Sequence, residues 1–145
     1  MSPADSAICD AMGEILETMY FCEPEYMGRG QFNGPAIGAR LAFSGDLSGE
    51  FRVIVAESAA LRLTADFLGA GPQEITSGEA RLAVRELANV ACGAAMNTWM
   101  PDATLDFSVP DELPAAELAG EWAHGFSLSD GALELGIEIR IRDAA

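Results

Sequence analysis

One helix constrains this chain more than any other feature. Thr76, followed three residues later by Glu79, has the form of a capping box. The helix predicted to open there meets no proline until Pro101 and so runs to about Met100. At about 1.5 Å per residue it is about 35 Å long, the width of a whole domain. Leu82, Ala83, Val84, Leu87, Val90, Ala91, Ala94, Ala95, Met96 and Trp99 make most of its circumference apolar. Arg81, Arg85, Glu86, Asn89 and Asn97 fall with Gly93 in one narrow polar stripe. Such a helix is buried on most sides and meets solvent along that line.

The remaining segments read as partners for it. Ile8, Met12, Ile15, Leu16 and Met19 recur at helical spacing from Ala4 to about Phe21, with Asp10, Glu14 and Glu17 on the other side. CEPEYMGRGQFNGP, from Cys22 to Pro35, reads as a loop with a turn at Asn33-Gly34. Gly28, Gly30 and Gly34 lack the dinucleotide-binding spacing and are taken as part of that flexible loop. Ile37, Ala39, Leu41 and Phe43, then Phe51, Val53 and Val55, alternate on either side of the turn-rich SGDLSG and predict a hairpin. A short helix capped by Ser58 runs to about Leu68 and stops at Gly69 and Gly71.

Three strands complete the chain. The first carries Leu105, Phe107 and Val109; the second presents Trp122, His124, Phe126 and Leu128 on one face. After a hairpin turn at Asp130-Gly131, Leu133, Leu135, Ile137, Ile139 and Ile141 alternate with Glu134, Glu138, Arg140 and Arg142. Those four charged residues are expected as cross-strand pairs on a solvated face, or as the rim of a dimer. His124 and Trp99 are expected as packing residues. The fold expected is α+β, an antiparallel sheet with helices packed on one face, in the order α-β-β-α-α-β-β-β, as one domain over residues 1–145.

Composition narrows the chemistry. The 145 residues hold 23 acids and 8 bases, a net charge of −15. Phosphate backbones and anionic membranes repel such a chain, so neither nucleic acid nor membrane is an expected partner. All eight bases are Arg, which excludes a Walker A lysine and lysine Schiff-base chemistry. His124 is the only histidine, which excludes a multi-histidine metal centre. Cys9, Cys22 and Cys92 are odd in number, widely spaced and set among apolar residues, the usage of reduced thiols in a cytoplasmic protein. The acidic start has no basic n-region, so no signal peptide is expected, and no apolar run reaches transmembrane length.

Glu86 and Asn89 are three apart, so their side chains are neighbours on the polar stripe. The carboxylate can anchor a cation. The carboxamide both donates and accepts, so it can orient a water molecule without titrating. Water positioning is the main contribution a protein makes to phosphoryl hydrolysis. Taken alone, a Glu and an Asn at this spacing are more often solvated surface residues.

ELANVACGAAMNTWMPDATLDFSVP, from Glu86 to Pro110, resembles the signature helix and following strand of the CheC/CheX/FliY chemotaxis phosphatases, and CheX most closely. ILETMYFCEP is similar to the first helix of CheX-type domains. The resemblance implies a protein aspartyl-phosphate phosphatase that acts on a phosphorylated CheY-type receiver domain. It gives Glu86 the role of docking to the receiver lysine and Asn89 that of orienting the attacking water. It implies no cofactor of the chain's own, since the Mg2+ belongs to the receiver, and a homodimer joined through the sheet. Leu82 stands where that family often has Asp or Ser, and Pro110 and Pro114 bracket its usual downstream proline. Two-site relatives repeat the motif on the first helix; here Glu14 and Glu17 stand there, which implies a single active site on Glu86 and Asn89. A non-catalytic CheX-like binding module is the alternative, and a flagellar-switch scaffold related to FliY a third.

Overall fold

The computed structural model of the protein describes residues 2–129 and 131–142. They form helices α1 (Pro3–Tyr20), α2 (Glu57–Leu68) and α3 (Ser77–Trp99). The strands are β1 (Glu25–Gln31), β2 (Ala36–Gly45), β3 (Ser48–Ala56), β4 (Leu105–Phe107), β5 (Asp111–Glu112), β6 (Glu121–Ser127) and β7 (Leu135–Arg142). All pairings are antiparallel, in the order β1-β6-β7-β3-β2-β4, with β5 pairing β2 on the same edge as β4. The fold is α+β with the helices on one face, as the hydrophobic patterning requires.

Helix ends follow local chemistry. Ser2 Oγ accepts from the Asp5 amide and Asp5 Oδ2 accepts from the Ser2 amide, a capping box with Pro3 in the first turn. Thr76 and Glu79 make the same reciprocal pair at the start of α3. Gly69 closes α2 in the left-handed conformation. The residue before α2 is Ala56, with no side-chain cap, so Ser58 lies inside the helix and does not cap it.

The strands that alternate in sequence alternate in space. Ile37, Ala39, Leu41 and Phe43 of β2, Phe51, Val53 and Val55 of β3, and Leu135 and Ile137 of β7 pack with α1, α2 and α3 in one core. A smaller cluster, Ile54, Leu113 and Trp122, lies apart from it, with Phe32, Ala36 and Leu118 against it. Arg52 is buried beside that cluster, its guanidinium 5.4 Å from the Trp122 ring centroid. Across the β3–β7 pairing it faces Glu138, at 3.9 Å, and it also reaches Glu117 at 3.3 Å. Glu138 thus makes a cross-strand pair as expected of the last strand, but with a buried partner and not on a solvated face.

Four local readings change. The stretch expected as a loop contains β1, which pairs with β6. Gly28 and Gly30 are strand residues, and Gly30 has a packing reason: a Cβ on it would sit 2.7 Å from Leu133 Cδ2, and one on Gly125 of the paired β6 2.3 Å from Leu133 Cδ1. The predicted turn beside it survives at Gly34, whose φ is +104°. Leu105–Phe107 ends before Val109, which is exposed, and a separate short strand follows. β6 carries an extra residue against β1 between Trp122 and Gly125. That bulge reverses the alternation, so Trp122 joins the small cluster while Phe126 stays in the main core. Glu134 is not on a solvated face but buried, accepting from the Leu128 and Ser129 amides and paired with Arg62 of α2. The predicted turn residue Asp130 lies outside the described residues.

Candidate functional site

The core fixes which line of α3 meets solvent. Ala80, Val84, Leu87, Ala88, Ala91, Cys92, Ala95 and Met96 are buried. Arg81, Glu86, Asn89 and Asn97 are exposed, with Arg85 and Gly93 half-buried, as the polar stripe predicts. Leu82, expected among the apolar packing residues, is exposed as well.

Glu86 and Asn89 therefore stand one turn apart on the exposed side of a helix capped at its start and backed by core along its length. Among the described residues neither side chain is engaged in a hydrogen bond or ion pair. The pair is held by the helix backbone alone and is free to meet an external group. A rigid helix positions such groups better than a loop does.

The surroundings differ on the two sides. Towards α1 and α2, Glu86 borders a cavity of about 390 Å³ lined also by Met19, Tyr20, Thr64, Phe67, Leu68, Glu79, Leu82 and Ala83. Burial, and then the Glu86 carboxylate, push the Tyr20 phenol above its ordinary range. Towards β5, Arg81 Nε lies 3.7 Å from Glu112. Glu14 and Glu17 are both exposed on α1.

Other reactive side chains are occupied elsewhere. Cys92 is buried and its thiol is pushed up to about 12 by burial, which leaves it inert as a nucleophile. His124 is packed, as expected, with Nε2 3.2 Å from Asp5 Oδ1 and Nδ1 3.2 Å from the Tyr26 hydroxyl. Trp99 packs against the main core. No group of three His, Cys, Asp or Glu side chains among the described residues could hold a metal ion. No helix among them is long and apolar enough to cross a membrane.

Sequence reasoning placed both Glu86 and Asn89 on the solvent-facing stripe, where the structure has them. It missed the apolar rim beside them, because Phe67 and Leu68 belong to another helix and Leu82 read as core.

The family model described as chemotaxis phosphatase CheX matches residues 37–125, from β2 into β6. No curated protein sequence matches the chain. The fold is similar to a chemotaxis protein CheX from Desulfovibrio desulfuricans, with 16% identity, 97% of this chain and 100% of that one covered, and a TM-score of 0.73. Chemotaxis protein CheX from Vibrio vulnificus is 17% identical over 97% of this chain and 100% of that one, with a TM-score of 0.74. A CheX–CheY–BeF3–Mg2+ complex from Borrelia burgdorferi is 16% identical over 95% of this chain and 97% of that one, with a TM-score of 0.69. At these identities the likeness is one of fold. The family match covers more than half of the sequence, and by it the chain belongs to the CheX family of chemotaxis phosphatases.

Proposed function

We propose that this chain is a protein aspartyl-phosphate phosphatase for a CheY-type response regulator, with Glu86 and Asn89 as its working pair. The observation that carries the reading is their shared exposure, one turn apart and uncommitted, on the helix that resembles the family's signature. The solved CheX–CheY complex of a structural neighbour supports a receiver as the partner.

In this reading Glu86 meets the receiver's lysine, a cation that an uncommitted carboxylate can hold without first breaking a pair of its own. The Asn89 carboxamide enters the receiver's site and aligns a water molecule, one end donating and the other accepting. Attack of that water on phosphorus breaks the acyl-phosphate bond, leaving the receiver's aspartate and inorganic phosphate. An amide suits the task because a carboxylate there would repel the phosphoryl group. The Mg2+ that neutralises the phosphoryl oxygens is the receiver's, and the phosphatase brings no cofactor of its own.

The free cysteines accord with a cytoplasmic setting. A homodimer through the sheet would use an outer edge. β7 pairs β3 along its length but pairs β6 only as far as Ile137, so its stretch from Glu138 to Arg142 is open on one side. The alternative reading, a module that binds the receiver without hydrolysis, is favoured by Leu82 in place of the family's frequent Asp or Ser.

The deciding experiment is the lifetime of the phosphoryl group on purified, Mg2+-loaded receivers from the same organism. Wild type should shorten it on one receiver, and Asn89→Ala should lose that acceleration by about a hundredfold or more. Glu86→Ala should weaken docking as well as turnover. Binding of a phosphorylated receiver with unchanged decay would leave only the binding module.

A further inference from the structure

Leu82 stands on α3 one turn before Glu86 and is 59% exposed. Phe67 and Leu68, at the end of α2, are 56% and 54% exposed. All three line the 390 Å³ cavity that Glu86 borders, over a floor that includes Tyr20 and Ala83. Single exposed apolar side chains are ordinary; three large ones around one concavity mark a place where something binds. The Tyr20 and Phe67 rings, 5.9 Å apart between centroids, stiffen one wall.

We propose that this groove is a second contact for the receiver docked on Glu86 and Asn89, and that it takes an apolar side chain from the receiver's surface. The proposal rests on the receiver-docking reading above. Two observations select that occupant over others. The first is continuity: Glu86 belongs to the groove wall and to the working pair, so a partner held by Glu86 already covers the groove mouth. The second is charge. Glu79 and Glu86 line the groove, and exposed Asp66 adjoins Phe67. A partner that sets a cation beside an apolar side chain matches this rim. A second copy matches it less well, because it brings a net charge of −15 to an acidic edge. Of its own exposed apolar side chains, Phe107 stands beside Asp106 and Val109 two residues from Asp111, whereas Ile141 lies between Arg140 and Arg142, so a second copy is one of the outcomes tested below.

The groove thus acts on affinity and on the choice among receivers, and Asn89 acts on the chemical step. Leu68→Ser and Phe67→Ser remove apolar contact at exposed positions, so each variant should melt within a few degrees of wild type. On the receiver that wild type dephosphorylates, each should raise KM about tenfold and leave kcat within twofold. Asn89→Ala should do the reverse, lowering kcat with little change in binding of the beryllofluoride- and Mg2+-loaded receiver. Unchanged KM in both serine variants, with wild type active, overturns the groove and leaves the phosphatase reading standing. If wild type accelerates no receiver's decay, the same variants are titrated against beryllofluoride-loaded receivers. Tenfold weaker binding then supports the groove without the phosphatase; no receiver binding at all overturns both. Wild-type self-association that the serine variants abolish, seen by sedimentation, would assign the groove to a second copy and overturn the proposal.

Discussion

His124 Nε2 lies 3.2 Å from Asp5 Oδ1, which ties the first turn of α1 to β6. A carboxylate only accepts, so Nε2 carries the proton, and Nδ1 accepts from the Tyr26 hydroxyl at 3.2 Å. The ring is thus satisfied while neutral. Burial lowers its pKa; Asp5 and Glu138 oppose this, and Arg29 adds to it.

That balance sets a pH dependence. The folded state holds His124 below its unfolded value of about 6.5, so the folded state favours the neutral ring. Its contribution is complete above that value and is lost as pH falls below it and through the lower folded-state pKa. Asp5 and Glu79 are both held below their ordinary range, chiefly by the Ser2 and Thr76 backbone amides respectively. Their contributions are present above about pH 4 and are lost as pH falls further. The melting temperature should therefore decline from pH 7 to 5 and again below 4. In His124→Gln the first decline should flatten and the second remain, as read by melts across pH.

Glu134 is a structural carboxylate. Burial pushes its pKa up, but the Arg62 hydrogen bond, the Leu128 amide and Ser129 more than offset this, and the net shift is downward. Glu134→Ala leaves the buried Leu128 amide without its acceptor and should cost about 2 kcal/mol, measured by urea denaturation. Arg62→Ala should cost less, because Arg62 is partly exposed and the backbone bonds to Glu134 survive.

Two glycines should respond in opposite directions to alanine. A Cβ on Gly49 would sit 2.3 Å from the Arg140 carbonyl oxygen and 2.7 Å from Phe43 Cζ, between two paired strands. Gly49→Ala should cost about 2–4 kcal/mol, since backbone must move. Gly93 sits inside α3, and a Cβ there meets nothing within 4 Å. Gly93→Ala should stabilise the fold by about 0.5–1 kcal/mol. Differential scanning calorimetry on the two variants checks both signs.

Phe21 closes α1 with φ +55°, the only described residue other than glycine with positive φ, and it is 79% exposed. The cap itself is sound, with the Cys22 amide donating to Leu16 O at 2.9 Å. A side chain in that conformation costs about 1 kcal/mol that glycine does not. Phe21→Gly should raise stability by up to about that amount, less the entropy glycine adds to the unfolded chain. A higher urea midpoint with an unchanged m-value is the expected result.

The features legible in the sequence are those written by nearest neighbours. The capping box of Thr76 and Glu79, the left-handed Gly69 and the alternation of β2, β3 and β7 each depend on residues a few positions apart. So does the pairing of Glu86 with Asn89, because a helix places residues three apart side by side wherever it is packed. The apolar bulk of α3 also said which stripe would face solvent, and the exposure of both residues agrees with it.

What lay beyond local reading depends on residues far apart in the chain. Gly30 looks like a loop residue until Leu133, about a hundred positions on, is laid over its strand. Trp122 changes sides because of a bulge set by pairing with β1, which no alternation in β6 announces. Glu134 looks solvated by period and is buried because Arg62 on α2 reaches it. Leu82 carries the same apolar signal as Val84 and Leu87, and only the placement of α1 and α2 decides which of them is covered. Periodicity records which residues share a face; which face finds a partner is settled by packing among elements the period cannot see.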